Sequence, residues 1–143
     1  MEELITNRIA VQFYESQFCS IELPLQVHTY DIDIAHHVNN IVYLRWLEDM
    51  RCELFTKLDL LESLIALNYY PVVASCELKY KKQIKLMDRP IGRMFLESSS
   101  HGILIFKAEI RIDDKIAFCA SQKCVIMDLK NNLMITDNII KII

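Results

Sequence analysis

The sequence predicts an α+β fold in which an antiparallel β-sheet wraps around a single long central helix. Three observations predict it. Apolar residues alternate with a period of two across residues 20–33. From Asn40 the period changes to 3.6 residues, that of a helix. After Pro71, four β-rich runs follow one another, separated by turn residues. One early strand, one buried helix and four consecutive strands make a layered α+β domain.

Each element has its own signal. In "SIELPLQVHTYDID", Ile21, Leu23, Leu25 and Val27 alternate with polar residues, which predicts a half-buried strand. Tyr43, Trp46, Leu47, Met50 and Leu54 then fall within an arc of about 100° on one helix face. Arg45, Glu48, Asp49, Arg51 and Glu53 take the other side. Ile41 and Val42 are apolar but off the stripe, so the first turn is expected to be buried all round. "DLLESLIALNYY" predicts a shorter helix ending near Asn68, with Pro71 starting the next element. The strands are "VVASCELKYKKQ", "RMFLESSS", "ILIFKAEIRID" and "KIAFCASQKCVIMDL", with "LMDRPIG", "SHG" and "DD" as turns. The first 18 residues read as a short amphipathic helix (Leu4, Ile5, Ile9) running into an extended "AVQFY", and the tail "KNNLMITDNIIKII" has no clear period. With no linker, repeat or low-complexity segment, residues 1–143 are expected to form one domain, with 1–18 an N-terminal extension and 131–143 a C-terminal tail.

Composition excludes several functions. Sixteen Lys and Arg against nineteen Asp and Glu give a net charge of −3, so no broad basic face is implied and nucleic acid is not an expected partner. Lys79, Lys81, Lys82 and Lys85 form the nearest thing to a basic cluster. Alternate positions there would share one side of a strand and suit a phosphate-bearing ligand or an ordinary solvated face. The five cysteines are an odd set without a CxxC pair, and several lie in apolar runs such as "AFCASQKCVIM". They read as reduced, buried small hydrophobes of a cytosolic protein. The acidic start lacks a signal-peptide core, and no run approaches the roughly 18 apolar residues of a membrane helix. A cytoplasmic protein without a membrane partner is expected. Only Gly92 and Gly102 occur, so there is no GxGxxG, P-loop or GxSxG elbow.

Chemistry concentrates in "DIDIAHHVNNIVYLRWLEDMR", residues 31–51. Two carboxylates, two imidazoles and two amides before an apolar helix suit a metal site, an acid/base site or an elaborate helix cap. Adjacent His36 and His37 cannot readily point at one centre, and no cysteine lies near Asp31, Asp33 and His28 in sequence, so a metal is not expected. Cysteine nucleophiles are disfavoured too, since Cys52 falls on the helix and the others in strands.

The element order resembles the hotdog fold. The motif resembles the signature of the 4-hydroxybenzoyl-CoA thioesterase family, D-x-x-G-H-V-N-N-x-x-Y-L-x-x-x-E-x-x-R. Asp33, His37, Val38, Asn39, Asn40, Tyr43, Leu44, Glu48 and Arg51 fall on it. "VVASCELKYKKQIKLMD" is similar to the family's second strand and "KIAFCASQKCVIMD" to its last long one, so the likeness spans residues 20–130. His36 stands where the family usually has glycine, and Met87-Asp88 replaces a glycine-aspartate turn.

The resemblance implies hydrolysis of an acyl-CoA or acyl-carrier-protein thioester. Asp33 would act as nucleophile or as general base on water, and the Asn40 N–H, opening the helix, would polarise the carbonyl. His37 and His36 would line the thioester with Asn39, while Lys79 and Lys81 would meet the carrier's phosphates. The site would lie between protomers of a homodimer or homotetramer, with no metal or organic cofactor. Plainer readings stand beside these: Asp33 as a turn residue, Asn39 or Asn40 as the helix N-cap, His37 as a structural hydrogen-bonding group, Asp31 as a mere flank of the loop, Tyr43 as core. Glu48 and Arg51, at i and i+3, would pair with each other. Two alternatives remain: a hotdog module that binds an acyl thioester or acyl carrier without cleaving it, and a hotdog dehydratase.

Overall fold

A computed structural model describes residues 12–142 of the chain. The elements, in order, are β1 (Gln12–Tyr14), β2 (Ser20–Pro24), α1 (Asn40–Lys57), α2 (Leu61–Ala66), β3 (Tyr69–Tyr80), β4 (Ile91–Ser100), β5 (Ile103–Ile112), β6 (Lys115–Asp128), β7 (Leu133–Ile135) and β8 (Ile140–Ile142). Five strands form an antiparallel sheet in the order β2-β4-β5-β6-β3, and β7 adds to β6. β1 and β8 pair in parallel as a separate ribbon, which gives the tail its role.

Along β5 the alternation is complete: Leu104, Phe106, Ala108, Ile110 and Ile112 are buried, and the residues between them are not. Against that inner face lies α1. Its predicted stripe of Tyr43, Trp46, Leu47, Met50 and Leu54 is wholly buried, joined by Val42 and Phe55. Burying each large side chain is worth about 1.5–3 kcal/mol, so this stripe holds the helix to the sheet. Helix and sheet approach closely at Gly92 on β4, where an added Cβ would sit 2.6 Å from Met50 Sδ. Gly102 turns β4 into β5 with φ +77°, and a Cβ there would meet Ile135 O at 2.2 Å. Both glycines are thus committed to packing.

Several expectations need correction. The predicted strand over residues 20–33 stops at Pro24, apart from one further bond from Leu25 N–H to Pro90 O (2.9 Å). Beyond that the chain becomes loop, because its polar groups bond to one another instead of to β4. Pro71 lies within β3 and does not start it; β3 is an edge strand, where a missing N–H is tolerated. The first turn of α1 is buried only on one side: Val42 is 5% exposed and Ile41 70%. Cys19 and Cys124 are buried, but Cys52 and Cys76 are exposed and Cys119 half-buried. The N-terminal amphipathic helix falls largely outside the described residues, whose first element is β1. No helix among the described residues is long and apolar enough to cross a membrane.

Candidate active site

Residues 28–39 fold into a tight loop that delivers the chain to α1. Ile32 and Val38 form an antiparallel bridge. On either side of it, Asp33 N–H donates to His37 O (3.1 Å) and Asn39 N–H to Asp31 O (2.9 Å). Val38 N–H donates to Ile84 O (2.8 Å), tying this ribbon to the loop after β3. Asp31 is 1% exposed. Its Oδ2 accepts from His28 N–H (2.8 Å) and its Oδ1 from Arg45 Nη2 (2.5 Å). A buried charge needs such partners to be tolerable.

At the tip the pattern reverses. Asp33 is half-buried; one carboxylate oxygen accepts from Ala35 N–H (2.9 Å), and the other has no partner among the described residues. His36 N–H closes the turn on Asp33 O (3.0 Å), and His36 itself has φ +65°. This left-handed conformation costs a residue with a Cβ about 1–2 kcal/mol and suits glycine, which supplies a physical reason for the glycine of the resembled motif. His36 is exposed, and His37 half-buried; neither imidazole makes a hydrogen bond among the described residues. Asn39 is the helix N-cap, its side chain accepting from Ile41 N–H (3.1 Å). The next amide, Asn40 N–H, has no acceptor among the described residues and stands at the positive end of an 18-residue helix. Between the two amides, capping therefore falls to Asn39 and the open donor is that of Asn40.

Tyr43 is core, 2% exposed, in ring contact with Tyr80 and Phe118; burial pushes its hydroxyl up to about 12. Tyr80, at the end of β3, donates to Asn40 O (3.1 Å) and so braces the helix start. Glu48 and Arg51 pair as expected. Arg51, placed on the polar side by its spacing, is nevertheless 8% exposed: its Nη1 reaches Gln122 Oε1 (2.7 Å), and Gln122 Nε2 reaches Cys76 Sγ (3.4 Å). Near this cluster, burial pushes the Cys124 thiol up to about 11, partly offset by the Arg51 charge. Arg45, Gln122 and Tyr80 are the supporting residues that sequence spacing did not single out.

The lysines are not on one strand face. β3 ends at Tyr80, so Lys81, Lys82 and Lys85 lie exposed in the following loop. Lys79 points to the face of the sheet opposite α1, lining a groove of about 330 Å³ with Glu77, Glu97, Lys107 and Glu109. Three further grooves of about 370–530 Å³ lie along β2 and its neighbours. None of these four is lined by Asp33, His36, His37, Asn39 or Asn40. No group of three or more His, Cys, Asp or Glu side chains suited to a metal ion occurs among the described residues.

The sequence pattern of the Thioesterase-like superfamily matches residues 27–138, and the chain belongs to that superfamily. A search of curated protein sequences returned no match. Among solved structures, YbaW of Escherichia coli, a probable thioesterase, is similar with 23% identity and a TM-score of 0.71, over 81% of this chain and 87% of that one. DHNA-CoA thioesterase of Staphylococcus aureus is similar with 17% identity and a TM-score of 0.72, over 87% and 81%. A 4-hydroxybenzoyl CoA thioesterase, an aspartate-to-asparagine mutant complexed with 4-hydroxybenzoyl CoA, is similar with 13% identity and a TM-score of 0.76, over 84% and 92%. At these identities the structural likeness concerns the fold.

Proposed function

We propose that the chain is a hotdog-fold acyl thioesterase acting on acyl-CoA, with Asp33 as its catalytic carboxylate. The observation that carries this is the pairing of two unspent groups on one loop. Among the described residues, Asp33 keeps one oxygen free at the tip, and seven residues on, the Asn40 N–H opens α1 without an acceptor. The superfamily and the CoA thioester held by one structural neighbour support the thioester as the substrate class.

In the reaction, the substrate carbonyl oxygen takes the Asn40 N–H. Such a donor is worth about 2.7–4 kcal/mol against a developing oxyanion. Asp33 either attacks the carbonyl carbon, giving an acyl anhydride that water opens, or removes a proton from water as it attacks. In both routes the C–S bond breaks, the thiolate takes a proton, and the products are a carboxylic acid and a free thiol. His37, with His36 and Asn39, lines the thioester. Lys81, and Lys79 of a neighbouring protomer, are the candidate contacts for the phosphates of coenzyme A or of an acyl carrier protein. No step calls for a metal or organic cofactor.

The active form is at least a homodimer. The outer edge of β3 has no strand partner among the described residues, though the strand runs for 12 residues. Val73 (37% exposed), Cys76 and Tyr80 (43%) share its helix-facing side, and Ile41 and Leu44 lie exposed on α1. A long bare edge beside apolar side chains is a surface that proteins cover. A second copy of the chain would cover it and would wall the Asp33–Asn40 loop into a cleft.

The test is thiol release from a panel of acyl-CoA esters by wild type and Asp33→Asn. Turnover that collapses in the variant supports the reading, and the panel names the acyl class. Equal rates in both proteins would remove Asp33 from the chemistry. A wild type that binds acyl-CoA without releasing thiol would point to the non-catalytic module.

A further inference from the structure

The carboxylate of Asp31 takes no part in the chemistry proposed above, yet it is the more completely engaged of the loop's two. Its side chain is wholly buried, and Arg45, the group it pairs with, is about half exposed (54%). Four hydrogen bonds meet at this one residue, the first being its own N–H donating to His28 O (2.9 Å). Oδ2 holds His28 N–H at the start of the loop (2.8 Å), the carbonyl holds Asn39 N–H at its end (2.9 Å), and Oδ1 holds the Arg45 guanidinium on the second turn of α1 (2.5 Å). The start of the loop, its end and the helix are thereby pinned to a single point.

We infer that Asp31 is a positioning residue of the active site: its clasp on Arg45 and His28 sets the separation between the Asp33 carboxylate and the Asn40 N–H. This rests on the reading of those two as the reacting groups. The physical reason lies in what the clasp joins. Asp33 is two residues past Asp31, and Asn40 follows Asn39 directly, so both reacting groups are carried by segments that end on Asp31. Either could drift if the loop rocked against α1, and a misplacement of about 1 Å can cost about 100-fold in rate. Asn39 caps α1 and Val38 is tied to Ile84, but among the described residues only the Asp31–Arg45 pair joins residues 28–33 to the helix by a hydrogen bond. The bridge of Ile32 to Val38 holds the ribbon to itself and not to the helix.

The experiment compares Asp31→Asn, Arg45→Met and Arg45→Lys with wild type. An asparagine keeps the shape but presents an NH2 donor to one of two neighbours that are themselves donors, so one clasp opens. Arg45→Met removes the charged partner alone. Both are expected to lower kcat by roughly 10–100-fold with KM within about twofold, because binding contacts survive while alignment does not. Arg45→Lys should recover most of the loss. Hydrogen exchange, which needs no substrate, should show faster exchange of the Asn39 amide in the first two variants.

Leu64→Ala on α2, at the far end of α1, serves as the control for stability alone; its melting temperature should fall while kcat holds. If Asp31→Asn and Arg45→Met lose melting temperature as the control does but keep wild-type kcat and Asn39 protection, the clasp is only structural and the inference is overturned. The same holds if kcat and KM fall together with no recovery in Arg45→Lys. Failure of the thioesterase reading has a different signature: no thiol release by wild type, or full activity in Asp33→Asn. Faster Asn39 exchange in the variants would then establish the clasp without its catalytic purpose, and the inference as stated would fall with that reading.

Discussion

Asp31 and Asp33 stand two residues apart and have opposite fates. Asp31 is 1% exposed, with both carboxylate oxygens committed, one of them to a cation. Asp33 is half-buried, has one oxygen turned back on Ala35 N–H, and keeps the other free of partners among the described residues. The same contrast holds for the amides: Asn39 spends its side chain on the cap, and Asn40 N–H remains open. A loop of this kind teaches that polar residues crowded together need not share a task. Half of them saturate one another and so fix the backbone, which leaves the other half unspent at defined places. Unspent hydrogen-bonding capacity near a helix N-terminus is what a polarised carbonyl and an attacking oxygen require.

The sharpest way to break the comparison is Asp33→Asn. It removes a charge that the fold does not use, so kcat should fall by roughly 10³-fold or more with little change in melting temperature. Thiol release and a thermal scan measure the two sides, and a variant that melts early but turns over normally would exchange the roles of Asp31 and Asp33.

Next in size is Leu44→Asp on the exposed flank of α1. A charge there should block pairing of two chains, giving a monomer by sedimentation and a loss of turnover on the order of 100-fold through misplaced groups. Exposed Cys76 should meanwhile react faster with thiol reagents than it does in wild type. A monomeric variant with full activity would show that one chain holds the whole site.

Asn39→Ala tests the saturated amide. Loss of an N-cap costs about 1 kcal/mol of stability, to be read from denaturant unfolding, and a few-fold in kcat at most. The smallest effect belongs to His36→Gly. Relief of the left-handed φ offsets the extra freedom of the unfolded chain, so stability should rise by no more than about 1 kcal/mol. Any kinetic change should fall on KM, consistent with a side chain that lines the substrate and does no chemistry.

Much of the architecture was legible in the sequence. The switch of period at Asn40 marked the start of α1, and its stripe of Tyr43, Trp46, Leu47, Met50 and Leu54 is buried as the spacing required. Four strands follow where β-rich runs and turn residues placed them, because alternation is a local property read directly from side-chain chemistry. Legibility ended where partners are distant in sequence. The alternation of Ile21 to Val27 looked like one strand to residue 33, but strand length depends on what lies alongside, and β4 accompanies it only to Pro24. Arg51 had the spacing of a polar-side residue, yet Gln122, 71 positions away, draws it inward. Cys52 and Cys76 looked like core by composition and lie exposed, because Cys52 falls on the open flank of α1 and Cys76 on an edge strand that no other strand among the described residues covers.

By itself, then, the sequence determined the element order, the buried face of the central helix and the loop in which its chemistry would be sought. All three follow from local periodicity and from residue types at fixed spacing. Only the tertiary structure decided, among the described residues, which aspartate is spent and which is free, which amide is capped, and that β3 ends the sheet with an apolar, unpaired edge. Those outcomes depend on whether Arg45, Ile84, Gln122 or a neighbouring strand arrives within hydrogen-bonding distance, and that is a matter of packing in three dimensions.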